Sequence, residues 1–152
     1  MIAEYKFYHG AALVEIIDAK PGPLSIDELN ENGRLSSYIL NGKVGIQIKH
    51  SANRLHPWQF TFTKSNMAQL LSLRKAYPTV FVILVCHTDG MVTLTLEEII
   101  EILVAGASDQ AWIRVDRKKN ESYSVSGGAS ELTGKRPQGV QKVIQALEAS
   151  SR

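Results

Sequence analysis

The dipeptide Asn41-Gly42 separates two strand-like runs, 35–40 and 43–51. Asn-Gly is the favoured pair for a two-residue type I′ hairpin, because both positions take positive φ. Such a turn aligns position 38 with 45 and position 36 with 47, and aligned residues share a face of the sheet. One predicted face is polar and comprises Ser36, Tyr38, Gln47 and Lys49. The other is apolar and comprises Ile39, Val44, Ile46 and Ile48.

The segments before this hairpin predict one helix and one connection. Leu13, Ile16 and Ile17 stand at i, i+3 and i+4, which predicts a helix over 8–19 that turns these three side chains inward. Residues 20–33 are mostly polar. They are predicted to form a connection that leaves room for one short helical turn.

The segments after the hairpin predict a crossover between parallel strands. Residues 58–62 alternate as a strand, and residues 66–76 follow as a helix. The inward side chains of this helix are predicted to be Met67, Leu70 and Leu71. The apolar, β-branched run 80–87 is typical of a strand that is buried on both faces. This succession indicates a right-handed crossover with parallel pairing.

Three further signals organise the second half of the chain. Asp89-Gly90 predicts a hairpin, because Asp-Gly also favours positive φ. Thr95 and Glu98 have the spacing of a capping box, which predicts a helix from there to about residue 104. Residues 111–117 and 122–126 predict a last hairpin across a basic turn.

These elements predict a single α/β (α+β) domain over 1–126 with the core order αβββαβ. Its mixed central sheet has about five to seven strands with helices packed on it. Residues 127–139 are rich in Gly, Ser and Lys and are predicted to be a flexible linker. A short C-terminal helix is predicted over 140–152.

Composition narrows the class of protein without naming a function. The single cysteine, Cys86, excludes an intramolecular disulfide and favours a reducing compartment. No run approaches the roughly 18 apolar residues of a membrane helix, so we expect a cytoplasmic protein without membrane contact. A net charge of +2 is too small to indicate a nucleic-acid partner by itself. Whether such a partner is expected therefore depends on where the basic residues lie on the surface.

The element order, together with Gln47-Ile48-Lys49 on a hairpin strand, resembles the restriction-endonuclease-like, or PD-(D/E)xK, superfamily over residues 8–87. The resemblance implies a nuclease core that binds Mg²⁺ or Mn²⁺. In that family a strand aspartate and an acid or glutamine two positions before a lysine form the site. The acids bind the metal, and the lysine positions or activates the attacking water.

Carried over to this chain, the resemblance implies a catalytic set of Lys49, Gln47 and Glu15. Lys49 takes the place of the lysine and Gln47 that of the acid or glutamine. The predicted register puts Ser36 or Tyr38 where the aspartate should stand, and hard divalent cations prefer carboxylates. The resemblance lets Glu15, on the first helix, supply one carboxylate to the metal, as helix acids sometimes do in that family, and leaves Glu31 open as a second. Gln47 and Lys49 also have an ordinary explanation, because the solvent-facing side of a half-exposed strand is usually polar.

Two basic segments are candidates for contact with DNA or RNA. The first holds Lys49, Asn53 and Arg54 before Trp58, which is predicted to belong to the core. The second is the basic turn of the last hairpin, a place that often carries charge for solubility alone. Its cations are Arg117, Lys118 and Lys119. Nucleic acid becomes the leading partner if this turn and Arg54 share a face.

Two classes of function stay open on these grounds. One is a nucleic-acid-directed protein with a nuclease-like core, which either uses Lys49, Gln47 and Glu15 with Mg²⁺ or Mn²⁺ in an altered site or is inactive. The other is a binding or accessory module that contacts phosphates without cleaving them. A homodimer through the exposed edges of the late hairpins stays open in either case.

Overall fold

The computed structural model describes residues 1–31, 34–103 and 110–150, with the side chains of all of these except 30, 31, 34–36, 110 and 150. Four helices and eight strands are described. In chain order they are α1 (Glu4–Ala19), β1 (Ile26–Glu31), β2 (Arg34–Leu40), β3 (Val44–Ser51), β4 (Trp58–Thr63), α2 (Lys64–Ala76), β5 (Thr79–Cys86), β6 (Gly90–Thr95), α3 (Leu96–Ile102), β7 (Gln110–Asp116), β8 (Ser124–Gly127) and α4 (Gln141–Ser150).

The strands form two sheets. The larger has the order β1-β2-β3-β5-β6, with β3 and β5 parallel and the other neighbours antiparallel. The smaller is antiparallel, with the order β4-β7-β8. The predicted α+β fold with a mixed sheet is confirmed. Parallel pairing of β5 is present, but its partner is β3, so the crossover predicted between 58–62 and 80–87 was wrong in its first strand. The sequence did not predict that β4 would leave the central sheet for a second one.

The five-stranded sheet is covered on both faces, and β5 shows why. Its side chains alternate between two apolar clusters, so that Val82 and Leu84 enter one and Ile83 and Val85 enter the other. The first cluster is completed by α2, α3 and the small sheet. The second is completed by α1 and α4. A strand that is buried on both faces is apolar throughout, as the sequence predicted for this run.

The inward faces of two helices differ from the predicted ones. In α1 the buried side chains are His9, Ala12 and Ile16, whereas Ile17 is 43% exposed. In α2 they are Leu70 and Leu73, whereas Leu71 is 48% exposed. Leu13 and Met67, also predicted to face inward, are partly buried and pack against the two clusters. Each prediction is therefore wrong in only one of its three residues, because a short amphipathic pattern is compatible with more than one rotation.

The predicted polar connection contains an edge strand, β1, which pairs antiparallel with β2. The prediction of a polar connection with at most one short helical turn was wrong here. Asp27, Glu28 and Asn30 give this strand a loop-like composition, which is common at sheet edges because polar side chains discourage further pairing.

Residues 127–139, predicted as a flexible linker, make backbone hydrogen bonds to the small sheet. The amide of Leu132 donates to the carbonyl of Val125 at 2.9 Å, and Arg136 exchanges two bonds of 2.8 Å with Tyr123. The third helix ends at Ile102, because its C-cap Leu103 has an extended backbone, so the predicted end at about residue 104 was two residues too late. None of the described helices is long and apolar enough to cross a membrane.

Candidate functional site

The turn of the first hairpin has the predicted backbone but not the predicted register. Asn41 and Gly42 have φ of 52° and 65°, and the amide of Lys43 donates to the carbonyl of Leu40 at 3.0 Å. Strand pairing nevertheless begins one residue later, with Leu40 opposite Val44. Lys43 is therefore an extra residue between turn and strand, as in a β-bulge.

This one-residue shift overturns the predicted polar face. Ser37, not Ser36, lies opposite Gln47, and Tyr38 lies opposite Ile46. Because side chains alternate along a strand, the shift moves Tyr38 to the face beneath α1, where it is buried and its hydroxyl lies 2.8 Å from Nδ1 of His9. The side chain of Ser36 lies outside the described ones.

Gln47 and Lys49 do share a face of β3, and a polar cleft of about 520 Å³ opens beside them. The described pairing of β2 with β3 ends at Gln47, so the last residues of β3 have no β2 partner among the described residues. We call this opening the amide–lysine cleft. Its defining side chains are Gln47, Lys49, Asn53, Gln59, Thr61 and Asn66.

Lys49 is held firmly at the wall of the amide–lysine cleft. Its Nζ donates to Oδ1 of Asn66 at 2.9 Å and lies 4.6 Å from the centroid of the Phe62 ring. Burial lowers the pKa of Lys49 from 10.5 to about 8. Desolvation of the ammonium group thus outweighs the hydrogen bond and the aromatic face, both of which favour the charged form.

Glu15, the expected metal ligand, is not brought to Lys49 and Gln47. It is exposed on α1 and lines a separate cavity of about 720 Å³, which it shares with His87 and Asp89. The helix packs on the opposite face of the central sheet from Gln47 and Lys49. Among the described residues, no group of three His, Cys, Asp or Glu side chains is placed to hold a metal ion.

The two basic segments do meet. Arg54, Arg117, Lys118 and Lys119 line one cavity of about 300 Å³, which we call the basic groove. The register of the small sheet explains the meeting, because Trp58 at the start of β4 lies opposite Val115 near the end of β7. Antiparallel pairing therefore brings the loop that precedes β4 next to the turn that follows β7.

Arg117 is anchored within the basic groove. Its Nη2 donates to Oδ1 of Asp89 at 3.0 Å, and its guanidinium carbon lies 4.8 Å from the centroid of the Tyr123 ring. The hydroxyl of Tyr123 donates to Oδ2 of the same aspartate at 2.7 Å. Burial and this bond to Asp89 raise the pKa of Tyr123, so the phenol stays a neutral donor.

The other cations of the basic groove are less restrained. Within the described part of the chain, the side chains of Arg54 and Lys119 have no recorded hydrogen bond or ion pair. Trp58 is buried, as predicted, and its Nε1 donates to the carbonyl of Asn53 at 2.9 Å. This bond fixes the loop 52–57, which carries Asn53 into the amide–lysine cleft and Arg54 into the basic groove.

Two site residues escaped the sequence analysis, although each left a signal. Asn66 holds Lys49 and also forms the capping box of α2 with Thr63, at 3.0 Å in both directions. The Thr-x-x-Asn spacing before an apolar periodic run could have marked it. Asp89 was interpreted only as a turn residue. Its contacts to Arg117 and Tyr123 are long-range, and no local pattern predicts them.

The likeness to the PD-(D/E)xK superfamily stays a hypothesis that rests on element order and one tripeptide. Comparisons of this chain with protein-family models, with curated proteins and with solved structures find no match.

Proposed function

We propose that this chain binds the phosphate backbone of DNA or RNA through the basic groove, without cleaving it. The observation that carries the proposal is that four cations from two distant segments line one cavity. Arg117 is already paired with Asp89 and Lys118 interacts with Glu121, so Arg54 and Lys119 are the groove cations that have no partner among the described residues. Clustered cations of this kind attract polyanions, and contacts to phosphates fix the position of the protein along the nucleic acid.

The chemistry of the groove suits phosphates better than bases. Arginine binds phosphate oxygens with two parallel hydrogen bonds, and lysine acts as a mobile point charge. Trp58, the large aromatic side chain at the groove, is buried and cannot stack on a base. Contacts of this type are independent of base identity, and their strength falls steeply with salt.

The described lining of the amide–lysine cleft favours binding over the metal-dependent nuclease. It includes no aspartate or glutamate beside Lys49. Mg²⁺ and Mn²⁺ prefer carboxylate ligands. Glu15, which the nuclease hypothesis assigned to the metal, lines a different cavity.

The test is fluorescence anisotropy with a labelled duplex or single-stranded oligonucleotide. If Arg54, Lys118 and Lys119 each neutralise one phosphate, affinity for duplex DNA falls roughly 40-fold between about 50 and 200 mM salt. Arg54→Glu with Lys119→Glu should weaken binding at low salt by about tenfold or more. The matched control, Lys20→Glu with Lys75→Glu, makes the same change of net charge at exposed sites outside the groove and should have a much smaller effect.

Two results contradict the proposal. Either no binding is seen at about 50 mM salt, or the two double variants lose affinity equally, which would mean that only net charge matters. Nicking of a plasmid with Mn²⁺ that is abolished by Lys49→Ala and by Glu15→Ala would replace the binding function with the nuclease.

A further inference from the structure

The carboxamide of Gln47 is a buried polar group without a partner. The residue is 1% exposed, and neither Nε2 nor Oε1 has a hydrogen-bond partner among the described residues. Other polar side chains buried to a similar degree are satisfied, since Thr93 donates to the carbonyl of Gly139 at 2.8 Å and His9 contacts the hydroxyl of Tyr38. Leaving such a group unpaired costs about 1–3 kcal/mol.

This unpartnered amide lies at the floor of the amide–lysine cleft, whose volume of about 520 Å³ is in the range of small-ligand sites. The described lining is rich in amides and hydroxyls and carries the cation of Lys49. Gln47 gives up no hydrogen bond when its side chain rotates toward the opening. A ligand with a complementary polar edge can therefore gain a bond that the free protein lacks.

The cleft and the basic groove are two sides of one short loop. Asn53 lines the cleft and Arg54, the next residue, lines the groove. Because consecutive residues of the loop line the two cavities, a strand that crosses this loop can place a phosphate against Arg54 and a base in the cleft. Bases can enter a cleft of this kind only when they are unpaired.

We propose that the amide–lysine cleft receives one unpaired base from a single strand whose phosphates lie in the basic groove. The proposal rests on the function proposed above. A glutamine carboxamide presents one donor and one acceptor side by side, which matches the adjacent donor and acceptor on the edge of an unpaired base, such as N7 and the N6 amino group of adenine. Gln47 reads the base, and Lys49 contributes a donor at the same wall.

The experiment compares two single-stranded DNA probes of equal length, oligodeoxyadenylate and the same backbone with abasic sites. We expect the wild-type protein to bind the adenine probe about tenfold more tightly. Gln47→Met should abolish this preference and leave the affinity for the abasic probe unchanged. The control Gln145→Met, at an exposed position on α4, should keep the preference.

Thermal melting of Gln47→Met shows whether a loss of base preference reflects the missing carboxamide or an unfolded protein. Because Gln47→Met removes an unpaired buried amide, Tm should rise by about 3 °C or more. A fall in Tm, or a wild-type protein that binds both probes equally, overturns the inference. If the wild-type protein binds both probes equally and Arg54→Glu with Lys119→Glu weakens that binding, the proposed phosphate binding is still supported. Absence of binding to either probe removes both proposals.

Discussion

Replacing Glu98 by glutamine is expected to lower the free energy of unfolding at pH 7 by about 3 kcal/mol. The carboxylate of Glu98 accepts from Nζ of Lys142 at 2.7 Å, from Nε of Arg136 at 2.8 Å and from the amide of Thr95 at 2.9 Å. These bonds join α3 to the segment after β8 and to α4. Burial alone would raise the pKa of Glu98, but the three hydrogen bonds outweigh it and lower the pKa from 4.5 to about 2.

The pH dependence of this stabilisation has a defined sign. Since the pKa of Glu98 is lower in the folded than in the unfolded protein, its contribution is complete above pH 4.5 and is lost as the pH falls toward 2. Urea unfolding of both proteins at several pH values measures the difference. Glu101→Gln, an exposed change on the same helix, should shift stability by at most about 0.5 kcal/mol. A difference between Glu98→Gln and wild type that does not shrink at low pH would contradict the assignment.

Replacing Lys49 by methionine is expected to have the opposite effect and to stabilise the protein at pH 7 by about 3 kcal/mol. Below pH 8 the folded protein carries the ammonium group of Lys49 in a partly buried site, where it is less well solvated than in the unfolded chain. Methionine has a similar shape and no charge to desolvate. Asn66 keeps a partner in the variant, because its Oδ1 also accepts from the amide of Thr63.

The advantage of the methionine variant should vanish at high pH. The pKa of Lys49 is about 8 in the folded protein and 10.5 unfolded, so the wild-type protein gains stability relative to the variant as the pH rises between these values. Guanidinium unfolding at about pH 7 and 10.5 measures this change. Lys75→Met, at an exposed site, serves as the control. A wild-type protein that is more stable than Lys49→Met at pH 7 would show that the ammonium group is well solvated.

The sequence predicted those parts of the fold that depend on neighbours in the chain. The capping box of Thr95 and Glu98 is confirmed, and so is the positive φ of Asn41 and Gly42. The apolar run of β5 is confirmed as a strand that is buried on both faces. In each case a few adjacent residues decide the local conformation through hydrogen bonds, backbone sterics or burial.

The candidate site depended on longer-range geometry, and there the sequence was less informative. The bulge at Lys43 shifts the pairing of β2 with β3 by one residue relative to the predicted register, and no local sequence pattern predicts this bulge. The shift places Tyr38 on the opposite face of the sheet from the predicted one. The meeting of Arg54 with the basic turn depends on β4 pairing with β7 in a second sheet. The sequence analysis left open whether the two basic segments share a face, because strands that pair far apart in the chain leave no periodic signal of their pairing.

The central claim, that the basic groove is the nucleic-acid contact, is tested most directly by amide chemical shifts. A ¹⁵N-labelled protein is titrated with a short single-stranded oligonucleotide at low salt. We predict that the largest shifts fall in the loop 52–57 and in the turn 117–120, which line the groove, and that they reverse when salt is added. Saturable shifts confined to α1 or α4, with neither groove segment affected, would contradict the account.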